Sequence, residues 1–515
     1  MSKRAMLPLL ALLCAALPAL AADYAKREQD WRNGAVVYQV LPDRFAPAAN
    51  LAAKKALYPA PKILRSWEDS PKRGSYDPVL KVDSHELEFW GGDLPSIRSR
   101  LDYVQDLGAD VLYLNPVHLA WTNHKYDALD YQQISPEFGT RADLKALAED
   151  LHRRGMRLVL DGVFNHMGRN APRFQQALKD PNSPYRHWFV FGEQYPGGAR
   201  SWWQFENLPE LNLEFPTVRQ YLYGAPDSVV RSYLKDGADG WRLDVAVDIG
   251  YQFLSELSKA AHDTKPGSLI VGEIANYPRD WFPAVDGVMN FTLREIILRT
   301  AERRMEAALA ARMIERMVNE AGVENLLKSW IFLDNHDTAR LHTALTDERQ
   351  RRLAQVLQFT LPGSPNLYYG SELGMQGLVD PEQRGPMRWD WVGENNIHLQ
   401  WTRQLIQMHK RLRALRVGDF RLATSDKLLA FERYTDHTRD TVLVLANPGY
   451  STVTEAVMVA NSNLMNTFAL VDQLSGQKVP MRSGLVEVSL APGAAMVLVP
   501  ELSPGGGYSA YKRVP

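Results

Sequence analysis

Eight short apolar runs recur along most of the chain, and longer stretches with helical periodicity separate them. Runs of this kind, rich in β-branched residues, are typical of strands that are buried on both faces. Their alternation with helices predicts an α/β fold in which eight parallel strands close into a (β/α)8 TIM barrel. An open doubly wound sheet would need a glycine-rich dinucleotide loop after its first strand, and the sequence has none there.

The predicted strands are Ala35 to Val40, Ala109 to Leu114, Arg157 to Leu160, Gly240 to Val245, Leu269 to Glu273, Gly287 to Phe291, Trp330 to Leu333 and Asn366 to Tyr369. The predicted helices include Ser96 to Leu107, Arg141 to Arg154, Pro216 to Lys235 and Tyr251 to His262.

The alternation of strands and helices is interrupted by one long segment and ends before the C-terminal region. Residues 167–210 are long and rich in Pro, Gly and aromatics, which predicts an excursion domain between two parts of the barrel, 22–166 and 211–417. From residue 418 to 502, alternating apolar runs predict a C-terminal antiparallel β-sandwich. Residues 503–515 contain Pro504 and three successive glycines, and we expect a flexible tail.

The first 21 residues have the pattern of a secretory signal peptide. Lys3 and Arg4 precede an apolar segment that ends in Ala19-Leu20-Ala21, a site of small residues that suits signal peptidase. The segment is too short to span a bilayer, and no second candidate follows. Cys14 is the chain's one cysteine and lies within it, so the mature protein would have no disulfide. We expect secretion to the periplasm or the medium, with no membrane attachment after cleavage.

Charge composition narrows the class of partner. The chain has 59 basic and 60 acidic residues, a formal net charge of −1, and no dense cluster of Lys and Arg. Nucleic acids and anionic membranes are therefore disfavoured as partners, and a neutral substrate is favoured.

Four predicted strands end in acidic residues. Asp161, Asp244, Glu273 and Asp337 follow the third, fourth, fifth and seventh runs. The carboxyl ends of the strands form the functional face of a barrel. Any one of these acids has a structural explanation as a helix cap or an ion-pair partner. Four of them at one end, two beside histidines, indicate chemistry that needs paired carboxyl groups, and glycosidic bond cleavage is such a chemistry.

Strand periodicity assigns different surroundings to two of these acids. Arg242 and Asp244 are two residues apart and point to the same face, while Trp241 and Leu243 point to the other. We expect the guanidinium to lower the pKa of Asp244 and keep it anionic, as a nucleophile requires. Glu273 follows an apolar strand, where desolvation would raise its pKa and suit a general acid.

Four segments resemble the signatures of the α-amylase family, glycoside hydrolase family 13. They are DGVFNH (161–166), GWRLDVAVD (240–248), VGEI (271–274) and FLDNHD (332–337), in the family's order and spacing. Subsidiary matches include FWGGDL (89–94), NHKYDALDY (123–131), LPELN (208–212), LYYGSELGM (367–375) and DPEQRGPMRWD (380–390). The resemblance covers nearly the whole mature chain.

The resemblance implies a retaining α-glucan-active enzyme. Asp244 would be the nucleophile, Glu273 the general acid/base, and Asp337 the carboxylate that holds the sugar hydroxyls as the ring distorts. The glucose on the non-reducing side of the cleaved bond would lie among four side chains, and the next sugar would be fixed by two more. These substrate-binding residues are Tyr126, His166, Arg242 and His336, then Asp380 and Arg384. Asp161 would be a structural neighbour. Trp202-Trp203 and Trp188-Phe189 are candidate sugar platforms.

The neopullulanase and cyclomaltodextrinase branch of the family is the most similar, with three departures. Those enzymes usually carry an N-terminal β-sandwich, whereas barrel-like sequence begins here near Asp30. Val247-Asp248 replaces the usual Asn-Glu, and Ala275 replaces an acceptor-side aromatic. Branch-point cleavage, sugar transfer and dimerisation therefore stay open, as does the choice between monomer and homodimer. A transglycosylase or isomerase is the alternative on the same site, and a non-catalytic glucan-binding protein is disfavoured by the intact acids.

No cofactor is required by this reaction, and no metal ligand is assigned. The resemblance leaves calcium possible, because an Asn like Asn165 binds Ca²⁺ in calcium-dependent relatives. The histidine that assists it there is missing here, where Val247 and Asp248 occupy the region.

Overall fold

The computed structural model describes residues 22–462, 464 and 469–501. The expected signal peptide (1–21) and tail (503–515) lie outside these residues. Eight parallel strands close into a barrel, each hydrogen-bonded to its neighbours in chain order, with the first strand pairing with both the second and the eighth. The predicted barrel is confirmed. Its strands are Val37–Val40, Val111–Leu114, Arg157–Gly162, Gly240–Leu243, Leu269–Ile274, Gly287–Asn290, Trp330–Phe332 and Ser364–Tyr368.

The inside of the barrel is filled by alternate residues of these strands. Val37, Tyr113, Val271 and Trp330 belong to this inner cluster, whereas Trp241 and Leu243 pack outward into the larger core beneath the helices. Arg242 therefore points inward, and its Nε lies 3.4 Å from the sulfur of Met289, another inner residue. This is the side-chain alternation that the sequence predicts.

Helices surround the barrel and cover its strands. The longer ones are Leu101–Leu107, Arg141–Arg153, Pro172–Lys179, Val229–Lys235, Tyr251–Thr264, Phe291–Ala301, Ala307–Ala321, Glu348–Thr360 and Ile397–Arg411. The shorter ones are Tyr24–Gln29, Pro42–Phe45, Leu94–Arg98, Pro216–Arg219, Ala246–Ile249, Val323–Lys328, Leu341–Ala344 and Arg413–Val417. Among the described residues, no helix combines the length and the apolar character that a bilayer crossing needs.

Two predicted helices are interrupted. The one predicted from Ser96 to Leu107 is divided into Leu94–Arg98 and Leu101–Leu107 by a turn. The prediction of one continuous helix from Pro216 to Lys235 is also wrong. An α-turn, Pro216–Arg219, passes into a π-turn, Gln220–Gly224, and a new helix begins only at Val229. Pro226 explains the break, because a proline has no N–H to donate and disfavours helical geometry in the residue before it.

Long loops follow the first and third barrel strands on the functional face. The first loop contains the short strands Ile63–Leu64, Tyr76–Asp77, Val82–Asp83 and Glu88–Phe89. After the third strand, the chain leaves the barrel and returns where His166 pairs with Glu210 as an isolated bridge. The excursion consists mainly of the helix Pro172–Lys179, three short turns and two further bridges, and its backbone is held by hydrogen bonds between irregular segments, such as that from Arg169 to Asn207.

The C-terminal region is an antiparallel β-domain of eight strands with its own apolar cluster. In spatial order the strands are Asp419–Leu422, Leu429–Tyr434, Val442–Ala446, Ala495–Pro500, Ala469–Asp472, Lys478–Arg482, Leu485–Leu490 and Val453–Met458. This confirms the expected antiparallel class.

Arg433 joins this domain to the barrel. Its fully buried guanidinium donates hydrogen bonds to the carbonyls of Thr360 (2.9 Å) and Gly418 (2.9 Å). Both carbonyls stand at helix C-termini, where no intrahelical donor remains, so the positive charge meets the negative end of two helix dipoles.

Candidate active site

A single buried guanidinium organises the functional face of the barrel. Arg242 projects inward from the fourth strand, and its Nη1 donates to Asp161 (2.8 Å) and Asp244 (2.9 Å). Its Nη2 lies 2.8 Å from Oε1 of Glu273 as an ion pair, without the alignment of a hydrogen bond. The ends of the third, fourth and fifth strands thus bring three carboxyl groups to one cation.

The charge balance of this cluster changes the expected electrostatics of Asp244. Burial, together with the nearby carboxylates of Glu273 and Asp161, raises the pKa of Asp244 well above its ordinary value, and Arg242 opposes this shift. Arg242 does act to lower the pKa of Asp244, as expected, but the expected net direction is wrong, because burial outweighs the guanidinium and the neighbouring acids add to the effect of burial. Protons therefore bind to the cluster as a unit.

Glu273 is held by a strained backbone. Its Oε2 accepts a hydrogen bond of 2.8 Å from the N–H of Val245, the residue directly after Asp244. Val245 has φ 40° and ψ 48°, a left-handed conformation that is rare for a β-branched residue. The strain aims this N–H at Glu273 and so couples the positions of the two acids. Apolar surroundings were expected for the Glu273 carboxyl group, but it contacts the N–H of Val245 and the guanidinium of Arg242 instead.

Asp161 is enclosed by donors. Besides Arg242, it accepts hydrogen bonds from the hydroxyls of Tyr113 (2.6 Å) and Tyr126 (3.0 Å), and its side chain has no exposed surface. A carboxylate without an open face cannot reach a substrate. Asp161 therefore positions Arg242 and Tyr126.

Asp337 lies open at the end of the seventh strand, with 44% of its side chain exposed. Partial burial acts to raise the pKa of Asp337, but His336 (3.0 Å) and Arg384 (3.0 Å) lower it more. The resulting pKa is far below the ordinary value for an aspartate. Asp337 is therefore an anion at neutral pH, available to accept hydrogen bonds from a ligand.

His336 is fixed in one tautomer by its neighbours. Its Nδ1 faces the amide nitrogen of Gln39 at 2.8 Å, which makes Nδ1 the acceptor. Nε2 then carries the proton and faces Asp337 and the hydroxyl of Tyr126 at 2.5 Å. The rings of Tyr126 and His336 lie nearly parallel, at an angle of 4°.

Arg384 connects Asp337 to Asp380. Its Nη2 bonds to Asp337, and its Nη1 lies 3.1 Å from Oδ1 of Asp380. Burial would raise the pKa of Asp380, but a hydrogen bond from His85 and the charge of Arg384 lower it to about 2. His85 was not predicted from sequence. The sequence feature that could have indicated a role for His85 is its position between Asp83 and Glu86 in a long loop of the functional face.

His166 provides a free polar atom. Burial lowers its pKa to about 3, so the imidazole is neutral, and its Nε2 has no hydrogen-bond partner among the described residues. The ring of Trp202 lies 5.6 Å away at 25°. A buried, unpartnered nitrogen beside an aromatic ring suits a ligand with hydroxyl groups and an apolar face. Direct contacts, with Asp161 as a link, join eight of the nine predicted site residues in one network, and the ninth, His166, lies beside the backbone of Tyr126.

The predicted sugar platforms divide into two groups. Trp188 and Phe189 are buried in the core of the excursion, so their assignment as platforms is wrong. Trp203 is 78% exposed, and Trp202 is half-buried with its Nε1 donating to Asp248 at 2.9 Å. These two remain candidates.

The side chains around Asn165 do not fit a calcium site. Nδ2 of Asn165 lies 3.5 Å from Nδ1 of His166, Asp248 accepts from Trp202, and Glu210 is paired with Arg200 at 2.6 Å. One further group of potential ligands, Asp83, His85 and Glu86, stands out among the described residues. Both nitrogens of its histidine are already used, Nδ1 by the N–H of Gly74 and Nε2 by Asp380.

Comparison with known proteins adds an independent line of evidence. Residues 39–411 match the family model described as "Alpha amylase, catalytic domain". The chain is 34% identical to neopullulanase 2 of Thermoactinomyces vulgaris, over 91% of this chain and 78% of that protein. It is 36% identical to the cyclomaltodextrinase of Geobacillus thermopakistaniensis, over 90% and 76% of the two chains. Among solved structures, it resembles the cyclic alpha-maltosyl-(1→6)-maltose hydrolase of Arthrobacter globiformis, with a TM-score of 0.76, 30% identity and coverage of 91% and 99%.

We expect Arg242→Met to lower the free energy of unfolding by about 3–5 kcal/mol near neutral pH, because buried carboxylates lose their cation. The deficit should shrink at about pH 5, since Asp244, whose pKa is already raised, then binds a proton more readily in the folded than in the unfolded state. Denaturant unfolding at both pH values measures this.

The matched control is Arg304→Met, which removes an exposed cation paired with Glu302. It should cost at most about 1 kcal/mol, as surface pairs do. An equal deficit for Arg242→Met at both pH values would mean that lost packing, and not unpaired charge, causes the effect.

Proposed function

The chain belongs to the α-amylase family of glycoside hydrolases, and we propose that it cleaves α-1,4-glucosidic bonds in maltodextrins, cyclodextrins or starch with retention, through a covalent glucosyl–Asp244 intermediate. The observation that supports this most directly is the meeting of Asp244 and Glu273 at Arg242, with Asp337 open beside them. Retaining hydrolysis requires one carboxylate that attacks and one carboxyl group that donates a proton.

In the first step, the Asp244 carboxylate attacks the anomeric carbon as Glu273 gives its proton to the glycosidic oxygen. The bond to the leaving sugar breaks, and a glucosyl ester forms on Asp244. In the second step, Glu273 takes a proton from water, which attacks the anomeric carbon and frees Asp244.

The surrounding groups suit a distorted glucose ring. Anionic Asp337 accepts hydrogen bonds from ring hydroxyls as the ring flattens, and the ring of Tyr126 offers a stacking face. His166 contributes its free Nε2, and His336 contributes a protonated Nε2. Asp380 and Arg384, next to Asp337, bind the second sugar on the non-reducing side.

The other parts of the proposal rest on the sequence pattern. The protein is secreted after removal of residues 1–21 and acts in the periplasm or the medium as a monomer or homodimer, without a required metal. A transglycosylase or isomerase stays the alternative, because the same intermediate serves both when a sugar replaces water.

We expect Glu273→Gln and Asp244→Asn each to lower kcat by several orders of magnitude while the fold stays intact, because each removes a group that the chemistry needs. Initial rates on maltotriose, with thermal melts of both variants, measure this. Near-wild-type turnover in either variant would remove that residue from the mechanism.

The first product should have the α configuration. Two successive displacements at the anomeric carbon restore the starting configuration, as expected when an Asp nucleophile and a Glu acid/base flank the bond. Proton NMR during the first minutes of hydrolysis distinguishes the anomers before they equilibrate. A β-anomer formed first would contradict the covalent intermediate.

Short maltodextrins and cyclodextrins should be cleaved with a higher kcat/KM than soluble starch. We infer that the long loops after the first and third strands, on the functional face, narrow the approach to Asp244. A narrow site admits chain ends and small rings better than the interior of a long chain. A panel of maltotriose, β-cyclodextrin, pullulan, soluble starch and sucrose tests this. A clear preference for starch with a broad spread of early products would support an open, endo-acting amylase, consistent with the small Ala275 on the acceptor side.

A further inference from the structure

A hairpin in the loop after the first barrel strand links two sides of the site. It spans residues 74–85, and we call it the clasp hairpin; Tyr76 pairs with Asp83 and Asp77 with Val82. Its turn is tight, since Oδ1 of Asp77 accepts from the backbone N–H groups of Val79 (2.8 Å) and Leu80 (3.0 Å). Lys81 closes the turn in a left-handed conformation, φ 61°. The position of the Lys81 side chain is therefore set by an ordered turn.

The base of the clasp hairpin is anchored in the active site. Nδ1 of His85 accepts from the N–H of Gly74 (3.1 Å), which ties the two ends of the hairpin together. Nε2 of the same ring lies 3.3 Å from Oδ2 of Asp380. Asn123, in the loop after the second strand, donates to the carbonyl of His85 at 2.9 Å. The hairpin thus begins directly behind Asp380.

The tip of the hairpin reaches the excursion. Nζ of Lys81 lies 3.4 Å from Oε2 of Glu206, with 31% and 26% of the two side chains exposed. Glu206 is held from its other side, because Nη1 of Arg169 donates to its carbonyl at 3.3 Å. Four residues before Glu206, Trp202 lies against His166. Trp202 also stacks on Phe205, the chain neighbour of Glu206, so a series of contacts and chain links runs from Asp380 to His166.

From this arrangement we propose that Lys81 and Glu206 act as a clasp that closes the non-reducing side of the cleft and limits how far a glucan chain extends past Asp380. The inference rests on the proposed function, in which His166 flanks the first sugar on that side and Asp380 the second. A chain that meets the closed hairpin ends near Asp380. Cleavage near the non-reducing end, with release of short products, follows from this boundary.

The chemistry of the pair makes the boundary adjustable. A partly exposed ion pair is weak and is screened by salt, so it opens in a fraction of the molecules and opens more often as ionic strength rises. An open clasp would let a longer donor segment pass between the hairpin and the excursion. Product length should therefore depend on salt in the wild type and should no longer depend on it once the pair is removed.

The test uses the full chain and measures early products from maltoheptaose and soluble starch by chromatography. In Lys81→Ala and Glu206→Ala, the ratio of products with three or more glucose units to maltose should rise about threefold, the scale expected for loss of a surface ion pair. High salt should shift the wild-type ratio in the same direction and leave both variants unchanged. The double reversal Lys81→Glu with Glu206→Lys should restore the wild-type ratio, which a merely structural role of either residue would not produce.

Lys72→Ala is the matched control, because Lys72 is an exposed lysine of the same loop outside the hairpin. Unchanged product lengths in both single variants, an equal change in the control, or no restoration in the double reversal would overturn the clasp. Maltotriose turnover by the wild type reports separately on the proposed function. Its absence would refute the hydrolase, whereas wild-type turnover with unchanged product lengths in the variants would refute the clasp alone.

Discussion

The burial of one guanidinium among three acids is the interaction on which the rest of the site depends. Arg242 lies inside the barrel without exposed surface, in contact with Asp161, Asp244 and Glu273. Taking such charges out of water costs several kcal/mol per ion, and mutual attraction recovers this only when the geometry is well satisfied. The strand ends must therefore be held rigidly, which the packed interior of the barrel does. Stability is given up for a preorganised, strongly polar centre.

The backbone contributes to the same preorganisation. A β-branched residue in the left-handed region, Val245, persists only where surrounding structure determines it, and here the strain delivers an N–H to Glu273. Asp244 and Glu273 are thus connected through a single peptide unit. A shift in either strand end would disturb both.

Much of this was predictable from sequence, for definable reasons. Barrel strands are continuous apolar runs, and the two-residue period of a strand decides that Arg242 and Asp244 share a face with the inner cluster. The acids at the strand ends meet because parallel strands share one carboxyl edge. The local pattern missed a break in each of two predicted helices, 96–107 and 216–235. In the second, Pro226 and a π-turn interrupt an otherwise periodic segment.

What could not be predicted depends on contacts between distant segments. The net direction of the pKa shift at Asp244 follows from its burial and from the acids of neighbouring strands, and adjacency in the chain shows only its contact with Arg242. The contact of His85 with Asp380 joins residues 295 positions apart. Lys81, in the loop after the first strand, pairs with Glu206, in the loop after the third strand. The burial of Trp188 and Phe189 depends on how the excursion folds, and two adjacent aromatic residues in the sequence do not predict whether they are buried.

The buried Arg433 bears on how the two domains behave as evolutionary and mechanical units. Its guanidinium satisfies the carbonyl of Thr360, which ends a barrel helix, so the C-terminal sheet completes a structure that belongs to the barrel. In a barrel excised before the sheet, the carbonyl at this helix end would bond to water instead of a cation, and in an isolated sheet Arg433 would keep only its bonds to the carbonyls of Gly418 and Asp419. The two domains are therefore not interchangeable modules. Recombination between related genes should therefore exchange the barrel and the C-terminal domain together. The two domains should also unfold as one cooperative unit.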